Sequence, residues 1–420
     1  MRYAGWGGIV EGWIDGSMVS WLFLDVNSYF ASVEQQLQPA LRGKPVAVVP
    51  LLAETTFCIA ASYEAKAFGV KTGTRVDEAK RLCRGLVLVK ARHDAYVDYH
   101  HRIVEAVESC VPVHAVVSID EMVCKLTGTQ REVEKARALA LLIKQTIKHR
   151  VGEMLRCSIG LAPNRFLAKV ASDMQKPDGL VVIEPKDVPD VLFSLQPRDF
   201  PGIGPRMEKR LREHGIVTAR QLLECSAMTM RTIWGGVVGE RFYHLLRGED
   251  LEGLDTQRRT VGHSHVLTPK ERTQEGAFGV AQKLVHKAAV RLRRMHYWCS
   301  SLAVFVKFLN RSKWESHVNF VECCDTLTLL EALQKVWKDI PRDGAPLAVG
   351  VTLYHLVPDQ LHNVALFDED RRTELAKAMD RLNAKYGKTA VHFGGMIGGA
   401  APTRIAFKNI PEMEDFDFDE

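Results

Sequence analysis

A chain of 420 residues exceeds what one hydrophobic core usually serves, so two to four domains are expected. Hydrophobic residues at 46% and charged residues at 25% are ordinary for a soluble globular protein, and the absence of an eighteen-residue apolar run excludes a membrane-spanning helix. The net charge of +5 is unevenly placed: residues 258–358 hold 15 Lys/Arg against 8 Asp/Glu, whereas residues 359–420 hold 8 against 12. A basic module followed by an acidic tail points to a nucleic-acid contact surface beside a solvated terminus.

The first twenty residues do not make a signal peptide, because Arg2 is followed by Glu11 and Asp15 and five glycines interrupt any apolar core. They read as an extension, with Met18 as a second possible start. The nine cysteines show no CxxC pair and no Cys/His ligand spacing. Most lie in apolar stretches, so free thiols in a reducing, cytoplasmic setting are expected.

In chain order, residues 19–26 read as a buried strand carrying a lone carboxylate, Asp25. Further strands are expected over 44–50 and 57–62, a short amphipathic helix over 74–83, and a helix over 93–111 with Tyr96, His100, Ile103, Val104 and Val107 on one face. Residues 113–126 resemble a β-hairpin whose tip carries Asp120 and Glu121. A helix over 132–151, a strand over 157–161, a helix over 164–174 and a strand over 179–184 complete a β-α-β-β-α-β alternation, which predicts a ferredoxin-like sheet. Prolines punctuate 185–201, and an all-helical pattern follows to about Gly248. After a polar stretch, residues 260–358 return to mixed α/β: strands over 260–267, 300–309, 317–321 and 347–356, with helices over 274–294 and 327–340. One more helix is expected over 369–386.

Asp25, Asp120 and Glu121 are acids set in apolar strands, where a carboxylate must be paired, metal-bound or at an exposed end. Strands lie about 4.8 Å apart, so their ends can converge on one hard cation, and oxygen-only ligation suits magnesium or manganese. Two such ions would clamp an in-line phosphoryl transfer. This spacing alone fits a polymerase, a two-metal nuclease or a nucleotide cyclase equally well.

Longer motifs separate these. Residues 24–34 (LDVNSYFASVE) resemble the opening motif of the Y-family DNA polymerases, and Ser118-Ile119-Asp120-Glu121 resembles their second acidic motif. Residues 61–66 (ASYEAK) and 69–73 (GVKTG) resemble the fingers segment. Ser158-Ile159-Gly160 with Asn164, Lys169 and Lys176-Pro177-Asp178-Gly179 resembles the end of the palm. The likeness continues through Pro201-Gly202-Ile203-Gly204 and Val261-Gly262-His263, covering about residues 19–360.

The resemblance implies a right-hand α/β multidomain polymerase: an extension (1–18), a ferredoxin-like palm (19–28 and 92–184), small fingers (29–91), a helical thumb with a helix-hairpin-helix (185–248), a linker (249–259), an α/β little finger (260–358) and a tail (359–420). It implies a translesion enzyme that adds deoxynucleotides to a primer 3′ end and bypasses damaged template bases, without proofreading and with low processivity. Asp25, Asp120 and Glu121 would be catalytic ligands of two magnesium ions, manganese being possible, with the Val26 carbonyl assisting. Tyr63, Lys66 and Lys176 would bind the triphosphate. Phe30 would be the steric gate beneath the sugar, and Tyr29 is counted among the nucleotide contacts; the alternative makes Phe30 a core residue and turns Tyr29 to the sugar.

Gly202, Gly204 and Arg206 would touch backbone phosphate in the thumb, as would Lys283, Lys287, Arg291, Arg294 and Lys307 in the little finger, with Arg293 on the same helix and Arg311 and Lys313 beyond it. Trp298, Trp314 and Trp337 are expected as core or support residues. Residues 360–367 (QLHNVALF) resemble a sliding-clamp peptide through Gln360, Leu366 and Phe367, against the reading of an apolar link into the next helix. The implied partners are primer–template DNA, deoxynucleoside triphosphates and a sliding clamp, with no membrane, for a monomer at the nucleoid. Two positions depart from the polymerase IV branch, where many relatives carry aspartate in place of Asn27 and arginine in place of Lys66; both look more like polymerase V, while the intact little finger and tail look more like polymerase IV. The competing reading from another class is a non-catalytic DNA-binding accessory of a translesion complex.

Overall fold

The computed structural model describes residues 18–253, 259–341, 343–362, 371–386, 390–393 and 410. They fall into two compact units that divide after Gly253.

In the first unit, all six residues of strand β1 (Trp21–Val26) are buried, and helix α1 (Tyr29–Leu37) follows directly. A small subdomain comes next, made of β2 (Val46–Val49), β3 (Ala60–Ala61), α2 (Tyr63–Lys66), α3 (Val76–Leu82) and β4 (Val87–Lys90). Its strands, ordered β3-β2-β4, enclose a cluster of Ala47, Val49, Ala65, Val70 and Val76. The strand expected over 57–62 shrinks to two residues. Cys58 instead exchanges backbone hydrogen bonds with Gly73 and Thr74, so the segment before β3 closes a local loop.

The chain returns through α4 (His93–Glu108), β5 (Ala115–Val116), β6 (Glu121–Lys125), α5 (Val133–Arg150), β7 (Cys157–Ala162), α6 (Arg165–Met174) and β8 (Leu180–Val182). The main sheet is ordered β5-β6-β1-β7-β8, antiparallel throughout except for the β7–β8 pair. The order β7-β1-β6-β5 is that of a ferredoxin-like split, as the alternation predicts. β1 is central because its apolar run suits burial on both faces.

Gly160 sets how closely α6 approaches this sheet. A Cβ there would lie 2.0 Å from the Ala168 carbonyl oxygen and 2.4 Å from the Ser172 nitrogen, both backbone atoms that cannot swing aside. Gly160→Ala is therefore expected to destabilise this unit by about 1–3 kcal/mol, the usual cost of overpacking, measured as a lower midpoint of chemical unfolding.

Three short 3-10 turns (Pro185–Asp187, Asp190–Ser194, Pro197–Asp199) lead into α7 (Pro205–Glu213), α8 (Ala219–Glu224), α9 (Ala227–Trp234) and α10 (Val237–Leu245). The side chains of Thr218 and Ser226 accept from Gln221 N and Thr229 N and so start α8 and α9. Leu211, Leu222, Ile233 and Phe242 share a core with Phe23, Leu167 and Ala171 of the sheet and α6. Asn164 caps α6 through Leu167 N and donates to the Leu245 and Glu249 carbonyls.

The second unit contains β9 (Val261–Val266), α11 (Gln274–Arg294), β10 (Tyr297–Phe308), β11 (Lys313–Cys323), α12 (Thr326–Trp337), β12 (Pro346–Tyr354), β13 (Val357–Pro358) and α13 (Arg371–Tyr386). Its sheet is ordered β11-β10-β12-β9. Leu284 and Leu292 of α11 and Leu329 and Leu333 of α12 pack with Leu302, Val304, Val306, Val349 and Val351 of the sheet. Trp298, Trp314 and Trp337 lie partly buried against this core, in support positions. No described helix is long and apolar enough to cross a membrane.

Candidate active site

The β1–β6 register sets Asp25 opposite Glu121, and the β1–β7 register sets it opposite Ser158. Val26 N donates to the Asp120 carbonyl oxygen at 2.9 Å, which locks the end of β1 to the hairpin turn. Ser118 Oγ donates to Asp120 Oδ1 at 2.6 Å. Three carboxylates are thus carried to one end of the sheet by backbone geometry.

A positive charge already stands among them. Lys169 Nζ lies 2.7 Å from Asp25 Oδ2 and 2.7 Å from Glu121 Oε1, and Lys176 Nζ is also 2.7 Å from Asp25 Oδ2. Asp173 accepts from both lysines, at 3.1 Å and 2.8 Å. Asp120 stays outside this contact, turned to Ser118, so no three carboxylates close into a ligand set among the described residues.

Burial pushes the Asp25 carboxyl up, but Lys169 and Lys176 outweigh it and leave it below the ordinary value. Burial pushes the Asp120 carboxyl up to about 6, with repulsion from Asp25 and Glu121 added and the Ser118 hydroxyl opposing. Oxygen-only donors that already share an ammonium, Asp25 buried and Glu121 partly so, fit a hard divalent cation.

Beside the carboxylates, Lys66 Nζ donates to Ser28 Oγ at 2.7 Å and lies 4.4 Å from the centre of the Tyr63 ring. Burial, with Lys176 adding to it, lowers the Lys66 pKa, while burial raises that of Tyr63. Tyr63, Lys66 and Lys176 therefore converge on one electropositive wall. Ser28 begins α1 in the left-handed region (φ 50°) without capping the helix through its side chain. The first-turn amides of a helix have no intrahelical acceptors and suit an anion.

Asn27 positions part of that wall. It is buried, donates Nδ2 to Ser158 Oγ at 3.0 Å, and accepts from Asp178 N at 2.7 Å. This fixes the loop that carries Lys176.

Tyr29 and Phe30 separate clearly. Tyr29 is 3% exposed and its hydroxyl donates to the Tyr96 carbonyl at 2.6 Å, so its ring is a core group and only its backbone amide, in the first turn of α1, is left to meet a nucleotide. Phe30 is half-buried, with its ring stacked on that of Tyr96. Sequence reasoning missed Ser28 and Asp173 altogether and gave Lys169 no role. The i,i+4 spacing of Lys169 and Asp173, one turn before Lys176, was the signal available.

Family models of the impB/mucB/samB family match residues 24–173 and, as its C-terminal domain, 258–366; a model described as the DNA polymerase-iota thumb domain matches 198–250. A DNA polymerase IV of Moorella thermoacetica is 34% identical over 391 residues, covering 90% of this chain and 96% of the relative. DNA polymerase IV 1 of Bacillus subtilis is 30% identical over 392 residues, covering 89% and 92%. Among solved structures, a Y-family DNA polymerase chimera of Dbh and Dpo4 aligns with a TM-score of 0.67 at 25% identity, covering 80% of this chain and 99% of the other. The chain belongs to the Y family of DNA polymerases. It is a DNA-directed DNA polymerase of the translesion class, and nothing favours the non-catalytic alternative.

Other surfaces of this polymerase carry the remaining basic residues. Gly202 (φ 92°) and Gly204 are exposed on either side of buried Ile203, and Arg206 is exposed in the first turn of α7. An open groove of about 500 Å³ is lined by Gly202, Gly204, Pro205, Arg206, Met207 and Arg210. On α11 of the second unit, Lys283, Lys287, Arg291 and Arg294 are partly or fully accessible.

Arg293 corrects the sequence reading. It turns inward, with Nε 2.7 Å from Asp380 Oδ2, Nη2 2.8 Å from Asp380 Oδ1, and Nη1 on the Cys324 carbonyl, so it ties α11 to α13. Lys307 is exposed on the sheet face away from the helices, paired across the ladder with Lys313 and Ala348. Gln360 lies in an exposed turn, whereas Leu366 and Phe367 fall outside the described residues.

Proposed function

We propose that Asp25, Asp120 and Glu121, with the Val26 carbonyl, hold two magnesium ions where a primer 3′-hydroxyl meets an incoming deoxynucleoside triphosphate. Bound there, the ions supply the positive charge for in-line displacement and for the leaving pyrophosphate, and manganese fits the same donors. The observation that carries this reading is the cation position between opposed strands, with one ammonium 2.7 Å from both Asp25 and Glu121.

The chain's own residues do the rest. Lys66 and Lys176 are two cations crowded on one wall, an arrangement that a bound polyanion relieves, and Tyr63 adds a hydroxyl beside them. Phe30, the partly exposed ring just past the carboxylate strand, is the steric gate that leaves room for a 2′-hydrogen and not for a 2′-hydroxyl. Primer extension with the purified chain, magnesium and one nucleotide at a time is the test. Addition of only the templated deoxynucleotide supports the reading, and untemplated addition or none at all overturns it.

The DNA is held through its phosphates by Gly202, Gly204 and Arg206 in the first unit and by Lys283, Lys287, Arg291, Arg294 and Lys307 in the second. Neutralising Lys287, Arg291 and Arg294 together is expected to weaken binding equally on all sequences. The slope of log affinity against log salt should flatten by about 0.9 for each phosphate no longer neutralised. Gln360, Leu366 and Phe367 are proposed as the sliding-clamp peptide. Changing Leu366 and Phe367 to Ala should leave distributive extension intact and remove stimulation by a loaded clamp.

A further inference from the structure

The ring proposed as the gate does not stand alone. Phe30 stacks face to face on Tyr96, with ring centroids 4.3 Å apart and planes 15° from parallel. Tyr96 is fully buried, and its Oη donates to Glu34 Oε1 at 2.7 Å. Glu34 is itself a fully buried carboxylate. It accepts from Arg92 Nε at 3.2 Å, from a second Arg92 nitrogen on its other oxygen, and from Gln38 Nε2 at 3.3 Å.

The four residues close a ring of interactions across two helices. Phe30 and Glu34 are one turn apart on α1, and Arg92 and Tyr96 are one turn apart at the start of α4. A buried carboxylate is costly unless every oxygen finds a donor, and here both do. Such an arrangement does little for stability that an apolar pair could not do. What it adds is a fixed position for the Tyr96 ring.

We infer that Tyr96, held by Glu34 and Arg92, is a positioning residue that keeps Phe30 from retreating and thereby sets how strongly the polymerase rejects ribonucleotides. This rests on the gate reading of Phe30. Rejection by overlap is only as strong as the wall is stiff. A partly exposed phenylalanine could yield by rotating about its own side-chain bonds or by pushing its neighbour back. The stack on Tyr96 blocks the first route, and the Tyr96–Glu34–Arg92 tie blocks the second. His93 flanks both rings edge-on, at 6.5 Å from Phe30 and 6.0 Å from Tyr96.

The test measures insertion efficiency of dGTP and rGTP opposite a template C for wild type, Phe30→Ala, Tyr96→Leu, Tyr96→Phe and Glu34→Gln, each checked for folding by its melting temperature. Tyr96→Leu should lower the dGTP/rGTP efficiency ratio by about tenfold, which corresponds to about 1.4 kcal/mol of relieved overlap. The change should lie in the rGTP kcat more than its KM. Tyr96→Phe, which keeps the stack and loses the tie, and Glu34→Gln, which weakens the tie, should each lower the ratio measurably but by less than Tyr96→Leu.

A folded Tyr96→Leu that slows both nucleotides equally, with the ratio unchanged while Phe30→Ala lowers it, overturns the brace and leaves the gate standing. An unchanged ratio in Phe30→Ala overturns both. If Tyr96→Leu does not fold, Glu34→Gln decides: a lowered ratio supports the brace and an unchanged one overturns it.

Discussion

Asp25→Asn is expected to abolish nucleotide addition, by about 10³-fold or more, the scale of losing a charged group aimed at the transition state. Primer–template affinity should change little, because the residues proposed to grip DNA lie on other elements. The fold should survive the change. Lys169 keeps its ion pairs with Glu121 and Asp173, and Lys176 keeps its pair with Asp173, so neither ammonium is left unpartnered. Glu121→Gln should behave alike. Asp173→Asn removes a partner of both lysines without touching the strand-end carboxylates, so its effect on rate should be much smaller. Single-turnover extension and DNA titration on the same preparations separate the outcomes, and an equal loss of affinity and rate in Asp25→Asn would assign the residue a structural role.

Phe30→Ala should stay folded, continue to extend with deoxynucleotides, and raise ribonucleotide insertion by about tenfold or more, since well-packed groups have little room to yield. The structure bears on the rival outcome. A fully buried phenylalanine would cost about 3–5 kcal/mol on truncation, but Phe30 is only half-buried, and the core role on this turn belongs to Tyr29. Insertion efficiencies of matched rGTP and dGTP opposite template C decide it. An unchanged ratio in a folded, active variant sinks the assignment.

The acids were legible because apolar strands make an isolated carboxylate conspicuous, and the strand alternation carried the sheet with it. What sequence could not give was helix phase and long-range pairing. Tyr29 and Phe30 differ by one position, and only the docking of α1 on the Tyr96 carbonyl decides which ring is core. Arg293 sits in a run of three arginines spaced Arg-Leu-Arg-Arg, and its partner Asp380 lies on a helix far along the chain. Lys169 entered only as part of the palm motif and Asp173 not at all, because nothing local announces that α6 runs beside β1. The short approach at Gly160 is what brings them there.

The Asn27–Ser158 hydrogen bond bears on how the opening motif can drift. A serine hydroxyl rotates, and can donate or accept with equal ease. With asparagine at position 27, Ser158 accepts from Nδ2. Were aspartate there instead, the Asp178 amide would still find its acceptor, but the Ser158 hydroxyl, which donates to the Gln175 carbonyl at 3.2 Å, would have to give up that bond to face the acid. An acid in place of the amide would therefore keep the Asp178 tie and cost the Ser158–Gln175 one, which holds the loop just before Lys176.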